Sequence, residues 1–273
     1  MPCKCPLGSC TYAVIRPKKR LGQHFLHQPR VIDRIIAALD PCPGEHIVEI
    51  GPGLGALTGP LLRVLGELDV VELDRDLAPK LVDRVGPCGK LRVHLADALE
   101  FDFCDLGTDH TKIRIVGNLP YNISTPLLFH LLDQAHCIKD MVFMLQKEVA
   151  ERIAAQPGGG VYGRLSVMIQ CRCDVEVLFH VEPGAFSPPP RVRSTVLRLT
   201  PRPPPLTIHD DDLFSDLVKR AFLKRRKTLR NALQGLIDEE EFRAAGVDPG
   251  LRPERLGVEE FIRLANTLVG KRR

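Results

Sequence analysis

Five short apolar runs, each separated from the next by a stretch of helical character, most restrict what this chain can fold into. They are "HIVEI" (46–50), "LDVVEL" (68–73), "LRVHL" (91–95), "IRIVG" (113–117) and "DMVFML" (140–145). Runs this apolar are strands covered on both faces. Alternation with helices predicts a mostly parallel sheet, helices on each side and right-handed crossovers. Ahead of the first strand, "VIDRIIAAL" (31–39) repeats apolar residues at helical spacing until Pro41 stops it. After Gly158-Gly159-Gly160 the rhythm changes to two β-like runs, 165–179 and 194–199, with no helix expected between them, so a hairpin should close the sheet edge. "TPRPPP" at 200–205 reads as a linker, and beyond it Asp211 to Leu236 and Val258 to Val269 are helical by period. The expected organisation is an irregular basic tail (1–20), an α/β domain (21–200) and a small all-α domain (206–273).

A chain of 273 residues buries a core without covalent staples. Its nine cysteines are odd in number and form no CxxC pair, and it has neither a signal-peptide core nor an apolar run of transmembrane length. A reducing cytoplasm and no membrane partner are expected. Three thiols fall in the first ten residues, Cys3, Cys5 and Cys10, but their spacing matches no common zinc pattern and a fourth ligand is missing, so no metal is expected. The net charge of +4 is unevenly spread: "KRAFLKRRKTLR" (219–230) holds seven basic residues and no acid. Clustering of this density is the footprint of a phosphate-binding surface.

The first strand ends in "VEIGPGLGALT", where Gly51, Gly53 and Gly55 stand between strand and helix. Glycines at this edge let the backbone turn tightly and approach a ligand. Glu72, twenty-one residues after Gly51, ends the second strand where an acid accepts hydrogen bonds from a ribose diol. A dinucleotide fingerprint needs G-x-G-x-x-G, whereas this loop reads G-P-G-L-G-A and Pro52 removes a backbone donor. An adenosyl ligand without phosphates, S-adenosylmethionine, suits it better. Asp97, just after the third strand, adds an acceptor for the adenine amino group. The fold class is therefore a Rossmann-like S-adenosylmethionine-dependent methyltransferase, with a C-terminal hairpin on its sheet.

The fourth strand runs into Asn118-Leu119-Pro120-Tyr121. Asn118 supplies a side-chain carbonyl, and the proline stiffens a turn that leaves the Leu119 carbonyl pointing outward. Two convergent oxygens accept both N–H groups of an exocyclic amine and leave the nitrogen lone pair aimed elsewhere. Tyr121 offers a flat face for the base.

These motifs carry a resemblance to the ribosomal RNA adenine N6,N6-dimethyltransferases of bacteria and eukaryotes. It extends from about Lys18 to Val269 through "KKRLGQHFL", "VEIGPGLGALT", "VELDRDL", "GNLPYNISTPLLFHLL", "FMLQKEVAERI", "YGRLSVMIQ", "FSPPPRVRSTVLRL" and "FLKRRKTLRNAL". The chain is most similar to the bacterial small-subunit branch. The resemblance implies methylation of two adjacent adenosines near the 3′ end of 16S rRNA, in a small-subunit precursor; nothing in the chain demands a dimer, and a monomer is expected. It also implies cofactor contacts from His24, the Leu26 backbone, Gly51, Glu72, Asp97 and Asn118, to which the loop reading adds Gly53. His24 stands where the family often has Asn. Phe186 is implied as a second aromatic wall opposite Tyr121.

The target base must be flipped or unpaired to enter such a site. Lys224, Arg225, Arg226 and Lys227, with Arg230, are expected on a basic helix that grips RNA backbone. Rival readings are a large-subunit rRNA methyltransferase, against which "FLKRRKTLRNAL" argues, and a non-catalytic assembly factor, against which the intact NLPY argues. A dehydrogenase lacks both its third glycine and a hydride-transfer base.

Overall fold

The computed structural model describes residues 18, 22–107, 111–224 and 226–269. Contacts divide the chain into two compact units, Met1–Lys147 with Glu176–Thr200, and Glu148–Val175 with Pro201–Arg273. The division differs from the sequence expectation, because the chain between Glu148 and Val175 groups with the C-terminal helices rather than with the sheet.

The first unit is built on β2 (Ile47–Ile50), β3 (Glu67–Glu72), β4 (Lys90–Leu95), β5 (Ile113–Asn118) and β6 (Ile138–Gln146), joined by β9 (Ser194–Pro201) and β7 (Cys173–Val181) in the order β4-β3-β2-β5-β6-β9-β7. Strands β2 to β6 pair in parallel and β9 runs antiparallel to β6. Two short strands, β1 (Phe25–Leu26) and β8 (Phe186–Ser187), form a separate antiparallel pair. Every residue of β2 is buried, as expected of a strand covered on both faces.

Helices α1 (Pro29–Leu39), α2 (Thr58–Leu65), α3 (Ala78–Val85) and α4 (Ser124–Asp133) complete this unit. In α1, Val31, Ile35 and Leu39 recur every fourth residue and bury one stripe in the core, each worth about 1.5–3 kcal/mol. Pro29 begins the helix, and Asp40, at φ 48°, ends it directly before Pro41.

The second unit holds α5 (Lys147–Ala154) from Glu148 onward, α6 (Arg164–Arg172), α7 (Asp211–Leu223), α8 (Leu229–Ala232), α9 (Glu239–Ala245) and α10 (Val258–Leu268). Two expectations change here. The β-like run 165–179 begins as helix α6 and only then becomes β7. Val167, Met168, Ile169 and Cys171 are all buried in α6, so its apolar pattern has no exposed face from which a period could be read. Its start is set by Ser166, whose Oγ accepts the Gly163 N–H at 3.0 Å. The helix expected from Asp211 to Leu236 also breaks, into α7 and α8. Continuing it would place Lys224 beside Lys227 and Arg226 beside Arg230, like charges three and four residues apart with no acid between, which is unfavourable. Asp210 and Asp238 cap α7 and α9 by accepting the backbone N–H groups of Leu213 and of Glu240 and Glu241.

Cys104 and Cys137 are joined as a disulfide, a pairing the expectation of nine reduced thiols did not include. Cys3, Cys5 and Cys10 lie outside the described residues. Among the described residues no helix is long and apolar enough to cross a membrane.

Candidate functional site

The parallel register lines up the strand ends in one row. Glu49 pairs with Val116, so Gly51 and Asn118 lie side by side two residues further on. Ile50 pairs with Val71 and Glu72 with Leu95, which brings Glu72 beside Gly51 and Asp97 just beyond. Strand order reverses direction at β2, between β3 and β5, and an open α/β sheet leaves its crevice at the carboxyl ends of such strands. The cleft there is lined by His24, Leu26, Gly51, Gly53, Glu72, Asp97, Asn118, Leu119 and Tyr121, residues the sequence singles out.

Gly51 and Gly53 adopt φ of 65° and 55°, conformations L side chains rarely take. A Cβ on Gly53 would approach the Phe25 ring at 3.2 Å, so the residue also keeps β1 close to the loop. Glu72 is nearly buried. Its Oε1 accepts the Asp74 N–H at 2.8 Å and its Oε2 faces the Gly53 N–H at 3.4 Å. Burial raises its carboxyl above the ordinary range. A diol donating two hydrogen bonds would satisfy a carboxylate so placed. Asp97 is held at the cleft wall by the Leu99 N–H, 2.9 Å from its Oδ1.

The Asn118 amide is oriented by its partner. Nδ2 donates to the His24 carbonyl at 2.9 Å, which leaves Oδ1 as the free acceptor. The Leu119 N–H is bound to the Met144 carbonyl at 3.2 Å, while among the described residues nothing donates to the Leu119 carbonyl. The Tyr121 hydroxyl meets Ser194 Oγ at 2.8 Å, and burial raises its pKa, making the phenol a weaker acid than usual. The ring is thereby tied to the start of β9, a link across 73 residues that no local pattern announces.

His24 lies 5.4 Å from the Tyr121 ring at 30°, and its Nδ1–H donates to the Pro188 carbonyl at 2.8 Å. It thus ties the NLPY turn to the proline-rich loop. Leu26 pairs with Phe186 across β1 and β8. Phe186, expected as a wall opposite Tyr121, is 2% exposed and packs with the hydrophobic core that also contains Leu26 and Leu57. An aromatic ring in strand register with the apolar Leu26 is drawn inward by the same burial that anchors β1.

Sequence reasoning missed Glu49. It is fully buried inside β2, beside the cleft, and accepts the Thr58 Oγ1–H at 2.6 Å. Burial pushes its carboxyl up to about 8, with the nearby Glu72 adding to the effect. An acid within an otherwise apolar strand was the available signal. An acid raised in the folded state alone costs stability as pH rises from its unfolded value of 4.5 toward 8, since only the unfolded chain then gains by ionising. Glu49→Gln should therefore melt several degrees above the parent near pH 8, the gap closing as pH falls to 4.5. A parent that melts higher near pH 8 would mean an ionised Glu49.

In the second unit Lys224, Arg226, Lys227 and Arg230 are exposed, and Arg225 lies outside the described residues. Lys224, Arg226 and Lys227 occupy the turn between α7 and α8 rather than a helix, and none of the three has an acidic partner among the described residues. Arg230 lies in the first turn of α8 and pairs with Glu239 at 2.7 Å, so part of its charge is spent internally.

A glycine-rich turn, the acids Glu72 and Asp97 and an NLPY end, gathered at the carboxyl edge of a Rossmann-like sheet, mark a methyltransferase that uses S-adenosylmethionine, and the residues present fit that nucleoside. The model of the family described as ribosomal RNA adenine dimethylase matches residues 14–269. Ribosomal RNA small subunit methyltransferase A of Pseudomonas putida is 54% identical over 93% of this chain and 95% of its own, and that of Xanthomonas campestris pv. campestris is 56% identical over 91% and 95%. Among solved structures, a dimethyladenosine transferase from Plasmodium falciparum superposes with a TM-score of 0.74 at 26% identity, over 88% of this chain and 96% of that one. The 23S rRNA methyltransferase ErmE superposes with a TM-score of 0.67 at 26% identity, over 90% and 99%. The chain belongs to the ribosomal RNA adenine dimethylase family.

Proposed function

We propose that the protein dimethylates N6 of two adjacent adenosines near the 3′ end of 16S rRNA, in a precursor of the small subunit, as a cytoplasmic monomer. The observation that carries this reading is the Asn118 amide, locked by the His24 carbonyl so that its own oxygen faces the cleft. With the Leu119 carbonyl it accepts the two N–H groups of an adenine amine and turns the nitrogen lone pair toward the cofactor side. Bound S-adenosylmethionine supplies the electrophilic methyl group. Glu72 holds the ribose, Asp97 the adenine amine of the cofactor, and Gly51 and Gly53 admit it to the backbone. His24 and the Leu26 backbone line the same cleft. No strong base is required, because the proton leaves the amine after it has become cationic. Tyr121 provides the stacking face, and Phe186 the second aromatic wall for the target base. The small-subunit assignment rests on relatives named for that subunit at 54–56% identity, against 26% for the large-subunit enzyme ErmE.

The test is incubation with labelled S-adenosylmethionine and under-methylated small subunits, followed by mapping of the label. Label on adjacent adenosines near the 3′ end is expected. Label on the large subunit, or none, would overturn the reading. Lys224, Arg226 and Lys227, together with Arg225 and Arg230, are proposed to contact RNA phosphates. Reversing the first three charges should weaken subunit binding and flatten its salt dependence by about 0.7–0.9 log units per log unit of salt for each lost phosphate contact. Unchanged affinity would remove the turn from the RNA surface.

A further inference from the structure

Cys104, His136 and Cys137 form a cluster that methyl transfer does not use. Their Sγ and Nε2 atoms all lie within 4.8 Å of one another, with the sulfurs half-buried and the imidazole exposed. His136 Nε2 lies 3.5 Å from Cys104 Sγ, and the Gln134 carbonyl oxygen lies 3.1 Å from Cys137 Sγ and 3.8 Å from Cys104 Sγ. Disulfide sulfurs carry no proton, so neither approach is a hydrogen bond in the oxidised form. The imidazole nitrogen and the Gln134 carbonyl oxygen instead both lie against the pair of sulfurs. Tetrahedral zinc, with bonds of about 2.3 Å to sulfur and 2.0–2.1 Å to nitrogen, separates its ligand atoms by roughly 3.5–3.8 Å. The sulfur–imidazole distance already has that value, and the two sulfurs reach it once the bond between them is reduced.

The backbone around the cluster is held independently of the sulfurs. Gln134 Oε1 accepts the Phe103 N–H at 2.7 Å and its Nε2 donates to the Phe101 carbonyl at 3.2 Å, while His130 Nε2 donates to the same carbonyl at 2.8 Å. The segment carrying Cys104 thus stays beside the end of α4 when the disulfide opens. The Gln134 carbonyl also accepts the Cys137 N–H at 3.2 Å, which aims it back into the cluster.

We propose that reduced Cys104 and Cys137, with His136, bind a thiophilic divalent cation of the zinc class, the fourth position being open to water or to the Gln134 carbonyl. Reduction of the disulfide takes two electrons and two protons from a dithiol reductant, which closes its own disulfide. Binding then forms two sulfur–metal bonds and one Nε2–metal bond and releases the two thiol protons. The disulfide is the metal-free alternative of the same site.

Cobalt(II) serves as the probe on the full-length, reduced, metal-stripped chain. One equivalent should produce a thiolate-to-cobalt charge-transfer band that zinc bleaches. The Cys104→Ser/Cys137→Ser variant should lose the band, the Cys3→Ser/Cys5→Ser/Cys10→Ser variant should keep it, and the oxidised chain should show none. His136→Ala, at an exposed position that threatens no fold, should weaken cobalt binding at least about tenfold, as loss of an outer partner already does elsewhere. Absence of the band in the reduced chain, its survival without Cys104 and Cys137, or its loss with the N-terminal cysteines would overturn the proposal.

Discussion

Asn118→Ala is expected to lower methyl-transfer turnover by about 10²–10³-fold, the usual effect of removing one pre-aimed hydrogen-bonding group from a reacting centre. The side chain performs two tasks that alanine loses together. Its Nδ2 bonds the His24 carbonyl at 2.9 Å, and its Oδ1 remains to accept from the target amine. Since neither task involves the RNA backbone, affinity for the small subunit should stay within about twofold. Asn118→Asp separates the tasks, because it keeps an acceptor but presents a second oxygen to the His24 carbonyl, and its turnover should fall between the two. Single-turnover rates and subunit binding measured on the same preparations decide the matter. A variant that loses subunit binding, or that keeps turnover within tenfold, contradicts the role given to Asn118.

Arg114→Ala should destabilise the first unit by about 3–5 kcal/mol, because it strips the partner from a buried charge. The guanidinium is 8% exposed. Its Nε and Nη2 bond Asp140 at 2.7 and 2.8 Å, Nη1 bonds Glu45 at 2.7 Å, and Nη2 also reaches the Leu39 carbonyl at 2.7 Å. Among the described residues, removal leaves the Asp140 carboxylate with only the distant Arg198 Nε at 3.8 Å, and takes the Arg114 donor from the carbonyl at the end of α1. Glu45 retains Lys139 at 2.9 Å, which places the loss toward the lower end. Burial by itself would raise the Glu45 carboxyl, but hydrogen bonds from Lys139, the Cys42 N–H and Arg114 outweigh it and hold the group at about 2. Stability from a depressed acid is fully present above its unfolded value of 4.5 and disappears as pH falls toward 2. The gap between parent and variant should therefore narrow over that window. An unfolding free energy from denaturant titration that changes by less than about 1 kcal/mol at neutral pH would show that Arg114 is not holding these charges.

The parallel strands and the glycine loop were legible because their causes are local. A strand buried on both faces must be apolar at every position, and "IVEI" has one exception, Glu49, which the structure neutralises by burial. Gly51, Gly53, Glu72, Asp97 and Asn118 were legible for the same reason, each standing at the end of a recognisable strand, and the parallel register converts equal offsets along those strands into one row.

What only tertiary structure decided lies where packing chooses between locally equal options. The segment 165–172 is apolar enough for a strand or a buried helix, and its packed surroundings select α6. Phe186 carries no mark of its strand partner in sequence, and its pairing with Leu26 across β1 and β8 is set by residues far apart in the chain. Tyr121 with Ser194, and Cys104 with Cys137, meet across 73 and 33 residues. Periodicity reports only what neighbours along the chain share, whereas the side chain that fills a given space is settled by residues the fold brings in from far away.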